Sequence, residues 1–85
     1  MFEVYVLKSE KAKKSYVEST NDIQRRLTEH NSGKCFYTKR YLPWRLIYEE
    51  SFEDEGDARK RENYFKTSVG RRFLKKIFDC YSGIV

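Results

Sequence analysis

The sequence predicts one α+β (α/β two-layer) domain spanning residues 1–85, a small three-stranded antiparallel sheet flanked by helices in the order ββαβαα. Three observations lead there. The 85 residues include no long polar spacer, which leaves room for a single core. β-branched and aromatic runs near the start and the middle have the character of strands. The last third carries large apolar residues at helical spacing.

Residues 2–8, Phe-Glu-Val-Tyr-Val-Leu-Lys, read as strand one, with Phe2, Val4 and Val6 on one face. Residues 15–19 repeat that character, and the polar stretch from Ser9 to Lys14 makes an antiparallel hairpin the simplest connection. Thr20 or Asn21 caps helix one with Asp22 in its first turn, and Asn31-Ser32-Gly33 stops it, giving a helix over about 21–31. Residues 34–42 are basic and aromatic without a period. Pro43 then precedes strand three, Trp44-Arg45-Leu46-Ile47-Tyr48. Asp54 opens helix two, which places Ala58, Glu62 and Phe65 on one side. The clearest period lies over 69–81, where Val69, Phe73, Leu74, Ile77, Phe78 and Tyr81 form an apolar stripe and Arg71, Arg72, Lys75 and Lys76 fall on the other side.

Eighteen Lys and Arg against thirteen Asp and Glu leave a charge of +5, which favours an anionic partner without separating nucleic acid from an acidic protein or a lipid headgroup. Part of that charge is clustered, with Lys34, Lys39 and Arg40 in one loop. The cations of the last helix are explained about as well by a solvated face. The N-terminus lacks a basic segment followed by an apolar run, and no stretch nears the roughly 18 apolar residues of a membrane span. The expected location is the cytoplasm, with no membrane partner. Cys35 and Cys80 form no CxxC, so neither a zinc ribbon nor a thioredoxin-type site is supported and both are expected as reduced thiols.

Polar residues on faces that should be apolar give the first sign of a site. Ile23, Arg26, Leu27 and His30 follow i, i+3, i+4, i+7 spacing, so two basic groups share the face of helix one that turns toward the sheet. An arginine held there needs an anion, either a carboxylate or a phosphate, unless it runs past Leu27 to solvent. Helix two places the carboxylate of Glu62 between two core contacts, which calls for a metal or for a salt bridge to Arg26 or a neighbouring base. Tyr5 points opposite to Val4 and Val6, while Tyr16 points opposite to Val17 and shares its side with Glu18. Each tyrosine alone is explained by packing, and Tyr37 in the loop has the same two explanations.

Taken together, Val4-Tyr5-Val6, Tyr16-Val17-Glu18, Arg26, His30 and Glu62 resemble the two tyrosine motifs, the helix-one arginine and histidine, and the helix-two glutamate of the GIY-YIG nuclease family. The text around them is similar to its short, single-domain members: Arg25-Arg26-Leu27-Thr28-Glu29-His30-Asn31-Ser32-Gly33, Tyr37-Thr38-Lys39-Arg40 before Pro43-Trp44, and Ala58-Arg59-Lys60-Arg61-Glu62 with Lys66 beyond. The resemblance runs from residue 2 to about residue 76. It implies one divalent ion, Mg²⁺ or Mn²⁺, held by Glu62 against the scissile phosphate and the leaving oxygen. It also implies that Arg26 stabilises charge building on the phosphate and that Tyr16 deprotonates or orients the attacking water. Tyr5, His30 and Tyr37 would orient these groups, and Lys34, Lys39, Arg40 and Lys66 would contact nucleic acid, DNA by expectation.

Two departures stand out. Val-Tyr-Val replaces Gly-Ile-Tyr but keeps the tyrosine. Glu18 replaces the glycine of Tyr-Ile-Gly, which sets an anionic side chain beside Tyr16 and raises the pKa of that phenol. Glu18 then either turns to the metal as a second ligand or pairs with Arg26 and holds an inactive resting state. The asparagine some members carry late in the domain has no match. Three functions follow, in order: a metal-dependent endonuclease on structured or damaged DNA, with a place in repair or recombination; a nucleic-acid-binding module in which Glu18 has switched off cutting; and a protein-interaction domain using the basic face of the last helix. No separate DNA-reading module is evident, so specificity would come from DNA shape or a partner protein.

Overall fold

A computed structural model describes residues 1–35 and 37–84, with side chains in the last helix described as far as Asp79. The element order is ββαβαα: β1 (Phe2–Ser9), β2 (Ser15–Thr20), α1 (Ile23–Asn31), a short 3-10 turn (Thr38–Tyr41), β3 (Trp44–Phe52), α2 (Glu55–Phe65) and α3 (Ser68–Ile84). The strands form an antiparallel sheet in the order β2-β1-β3, so the central strand is also the first in the chain. No helix among the described residues is long and apolar enough to cross a membrane.

Alternation along β1 divides the core between the two faces of the sheet. Val4 and Val6 pack with Ile47, Ala58, Phe65 and Leu74 under α2 and α3. Tyr5 and Leu7 turn the other way, onto Trp44, Ile23 and Leu27 under α1. The register with β3 slips after Val6, leaving Ile47 between the pairs Val6–Tyr48 and Leu7–Leu46. That bulge turns Ile47 and Tyr48 to the same face, where both meet the α2/α3 cluster. Val4, Tyr5, Val6 and Leu7 are completely buried, a contribution of about 1.5–3 kcal/mol for each large apolar side chain.

Several boundaries differ from expectation for local reasons. The cap of α1 is Asp22, which accepts from the Arg25 N–H at 3.1 Å, while Thr20 Oγ1 accepts from Asp22 N–H instead of capping the helix. Gly33, at φ 82°, supplies the left-handed turn that ends the segment. Asp54 caps α2 as expected, accepting from Gly56 N–H. β3 runs on to Phe52 through Glu49, Glu50 and Ser51, whose polarity hides a strand that lies on the covered face at Glu50. There the Glu50 carboxylate takes two bonds from Arg61, 2.9 and 3.0 Å, and one from the Tyr48 hydroxyl. The Arg61 guanidinium also lies 4.6 Å from the Phe65 ring centre and 4.7 Å from that of Tyr64. This clamp fixes α2 over β3 and so fixes the neighbouring residue, Glu62.

Val69 is a correction: it is 51% exposed rather than part of the buried stripe. Gly70 takes its place, pressed so closely on α2 that a Cβ would stand 2.0 Å from the Tyr64 carbonyl oxygen. The stripe therefore runs Gly70, Phe73, Leu74, Ile77 and Phe78. Tyr81 and the Cys80 thiol lie outside the described side chains, and Cys35 is free.

Candidate active site

Strand register sets the centre of the site. Tyr5 pairs with Glu18 and Leu7 with Tyr16 across β1 and β2, so Tyr5, Tyr16 and Glu18 share one face of the sheet. Helix α1 crosses that face and brings Arg26 and His30 to it. The face shared by Ile23, Arg26, Leu27 and His30 is the one that packs, as the spacing predicts.

Glu18 is the hub. Its carboxylate accepts from Arg26 Nε at 2.8 Å and Nη2 at 2.9 Å, from the Tyr16 hydroxyl at 3.1 Å and from the Tyr5 hydroxyl. Arg26 Nη1 is directed to Glu29 at 2.7 Å and lies 3.6 Å from the Cys35 sulfur. The guanidinium is therefore surrounded by its own protein's acceptors. Of the two expectations for Glu18, the structure has the pair with Arg26.

Protonation follows from the same contacts. Burial alone would raise the Glu18 carboxyl, but hydrogen bonds from Arg26 and the two tyrosines outweigh it and hold the group below the ordinary carboxylate range. Burial pushes the Tyr16 phenol up to about 12, helped by the adjacent Glu18 charge. Tyr5 rises further, for the same two reasons. Its one phenolic proton goes to Glu18, so the 2.9 Å contact with His30 Nε2 is a bond donated by the ring. His30 Nδ1 then accepts from the Thr38 hydroxyl at 2.9 Å. Burial, with Arg26 nearby, lowers the His30 pKa and keeps that tautomer neutral. Tyr5 and His30 expose nothing. They reach the surface through Glu18 and Tyr16, whose ring meets the His30 ring edge to face at 4.9 Å.

Glu62 stands on the other side of the β2 edge. Its Oε1 accepts from Ser19 N–H at 3.0 Å and the Ser19 hydroxyl at 2.7 Å, and its Oε2 takes Lys66 Nζ at 2.8 Å. Its salt bridge is thus to Lys66, while Arg26 is taken by Glu18. These bonds and the Lys66 charge hold Glu62 below the ordinary range despite partial burial. Because β2 is an edge strand, both sides open around it. Glu18 lines a cleft with Arg26 and Arg59, a second with Arg59 and Glu62, and a larger groove with Tyr16 and Glu62. Arg26 and Glu62 share none of these, and Glu18 stands between them.

The remaining predicted residues divide. Tyr37 is half-exposed and stacks on Tyr16, with ring centres 5.9 Å apart and planes at 29°. Lys66 joins the site through Glu62. Lys34, Lys39 and Arg40 are exposed on the loop and the 3-10 turn and do not line the groove or either cleft. Ser19, Thr38 and Arg59 take part without having been singled out. Ser19 was legible in principle, since it follows Glu18 and alternation turns it to the α2 face.

The donor set suits a hydrated ion better than a protein-built cage. Among the described residues no three His, Cys, Asp or Glu side chains gather as a metal cluster. A single carboxylate backed by water is the kind of ligation Mg²⁺ accepts. Glu62 offers one oxygen whose present partner, the Lys66 ammonium, is half in solvent.

A family model, the GIY-YIG catalytic domain, matches residues 1–76. The UPF0213 protein of Staphylococcus saprophyticus is 36% identical over 75 residues, 87% of this chain and 90% of that protein. One from Clostridium perfringens is 39% identical over 75 residues, covering 87% and 80%, and one from Streptococcus agalactiae 42% over 63 residues, covering 73% and 72%. The solution NMR structure of a UPF0213 protein from Bacillus halodurans superposes with a TM-score of 0.54 at 28% identity, covering 91% of this chain and 85% of that one.

Proposed function

The chain belongs to the GIY-YIG nuclease family, and we propose that it is a metal-dependent endonuclease on DNA, held at rest by its own Glu18. The observation that carries this is the four-donor cradle around the Glu18 carboxylate: two from Arg26 and one each from Tyr5 and Tyr16. A guanidinium fork fits a phosphate as well as it fits a carboxylate. The cradle is built for an oxyanion, and an internal anion occupies it.

Glu62 would hold one Mg²⁺ or Mn²⁺ in place of Lys66. When bound, that ion supplies positive charge to the scissile phosphate and the departing oxygen. Arg26, once released from Glu18, turns toward the charge that builds on the phosphate. The Tyr16 phenol, freed from the same carboxylate, orients the attacking water and takes its proton more readily as its pKa falls. Tyr5 and His30 hold that geometry from below. Giving up two charge-assisted bonds costs roughly 3 kcal/mol, so cutting is slow until substrate offsets it. Structured or damaged DNA is the substrate this reading expects, with a place in repair or recombination.

The test is nicking of a branched DNA in Mg²⁺ and Mn²⁺ by wild type, Glu62→Ala and Arg26→Ala. Loss of nicking in both variants supports the reading; equal nicking in all three rejects it. A second reading, binding without cutting, is favoured by the full engagement of Arg26 with Glu18 and Glu29. Salt-sensitive binding by a wild type that never nicks would select it.

A further inference from the structure

Beside the Tyr16–Glu62 edge a groove of about 640 Å³ runs between β2 and α3. Its apolar lining includes Leu74 and Phe78, while Lys66, Arg71 and Lys75 supply cations. The two carboxylates that reach it are both paired, Glu18 with Arg26 and Glu62 with Lys66. Arg71 and Lys75 are exposed, and neither side chain has an ion-pair or hydrogen-bond partner among the described residues. They stand one helical turn apart on the same face, where like charges repel and weaken a helix. The uncompensated charge of the groove is therefore positive and calls for an anion.

The groove also carries an aromatic surface. Tyr37 is 50% exposed and braced by its stack on Tyr16, which presents a fixed ring instead of a mobile one. A flat ring beside a row of cations is the pattern of single-stranded nucleic-acid binding, with bases stacking and phosphates held by charge. A base inside a duplex has both faces covered by its neighbours and cannot use such a ring. An unpaired base can.

We propose that the groove between β2 and α3 is a subsite for an unpaired strand of nucleic acid, with a base on Tyr37 and the backbone along Arg71, Lys75 and Lys66 toward Glu62. This rests on the reading of the site as one that handles nucleic acid, and it narrows the substrate to DNA with a single-stranded segment. It also gives the exposed cations of α3 a task that a solvated helix face lacks.

The experiment compares binding of a labelled oligothymidylate and of a duplex of equal length by fluorescence anisotropy at low salt. Wild type should hold the single strand at least about tenfold more tightly. Tyr37→Ala should weaken single-strand binding about tenfold or more, the usual effect of losing one stacked base, and weaken duplex binding far less. Tyr37→Trp, which keeps the ring, should restore it. Arg71→Ala with Lys75→Ala should reduce the steepness of the salt dependence for the single strand by about 1.4, two phosphate contacts' worth. Equal affinity for the two DNA forms, or a Tyr37→Ala variant that binds the single strand as wild type does, overturns the subsite alone. No binding to either form overturns the nucleic-acid reading with it.

Discussion

Glu18 grips Arg26 through two parallel bonds, 2.8 Å to Nε and 2.9 Å to Nη2. The contact joins the glutamate that stands at the glycine position of the second tyrosine motif to the arginine that the proposed chemistry needs. Among the described residues, a glycine at position 18 would leave Arg26 with Glu29 as its only carboxylate. The glutamate thus supplies the anion that Arg26 holds at rest.

Removing Glu62 and removing its partner should act in opposite directions. Glu62→Ala should abolish specific Mn²⁺ binding measured by electron paramagnetic resonance without DNA. Lys66→Met should tighten it by up to about fivefold, because a half-exposed ion pair of this kind is worth roughly 0.2–1 kcal/mol. Unchanged Mn²⁺ affinity in both variants would place the ion elsewhere.

Alkaline titration should report the Tyr16 environment. Its pKa is raised from 10 to about 12, so the folded state favours the neutral phenol. The associated stability is complete below pH 10 and declines as pH rises toward 12. Tyrosinate absorbance should place this group late in the titration, and Glu18→Gln should bring it earlier by removing the adjacent charge. A Tyr16 that titrates near 10 in the wild type would contradict the burial of its phenol beside Glu18.

Thr38→Val should destabilise the domain by about 1–3 kcal/mol in chemical denaturation, the cost of leaving a buried acceptor unmet. The change keeps the shape of the side chain and removes only the hydroxyl that His30 Nδ1 uses. Stability equal to wild type would mean that the ring has another partner.

Gly70→Ala should cost at least about 2 kcal/mol, since the added methyl meets backbone rather than a side chain that can move. Val69→Ser, on the exposed side of the same turn, should change stability by less than about 0.5 kcal/mol. Thermal melts of the two variants side by side would show whether α3 is oriented as described.

Much of the fold was legible because alternation and helical spacing are local. Phe2, Val4 and Val6 against Tyr5, and Ile23 with Arg26, Leu27 and His30, sort to the faces their spacing predicts. What spacing cannot say is which edge of an apolar stripe is covered. Val69 and Gly70 are adjacent, and only the close approach of α2 decides between them. The cap of α1 was misplaced because Thr20, Asn21 and Asp22 are all good caps, and the hydrogen bond of one excludes the others. At the site, Arg26 was expected either to meet an anion or to run past Leu27 to solvent, and Glu18, Glu62 and a phosphate were all open as partners until strand register placed Glu18 opposite Tyr5. The α3 cations read as a solvated face because a linear pattern holds no record of the groove beside them.

The most direct test is the nicking rate of Glu18→Gly on a branched DNA in Mn²⁺, with folding checked by circular dichroism. Release of Arg26 and both phenols should raise the rate about a hundredfold over wild type, the equivalent of the roughly 3 kcal/mol assigned to the two guanidinium bonds. A folded Glu18→Gly protein that cuts no faster than wild type would contradict the account.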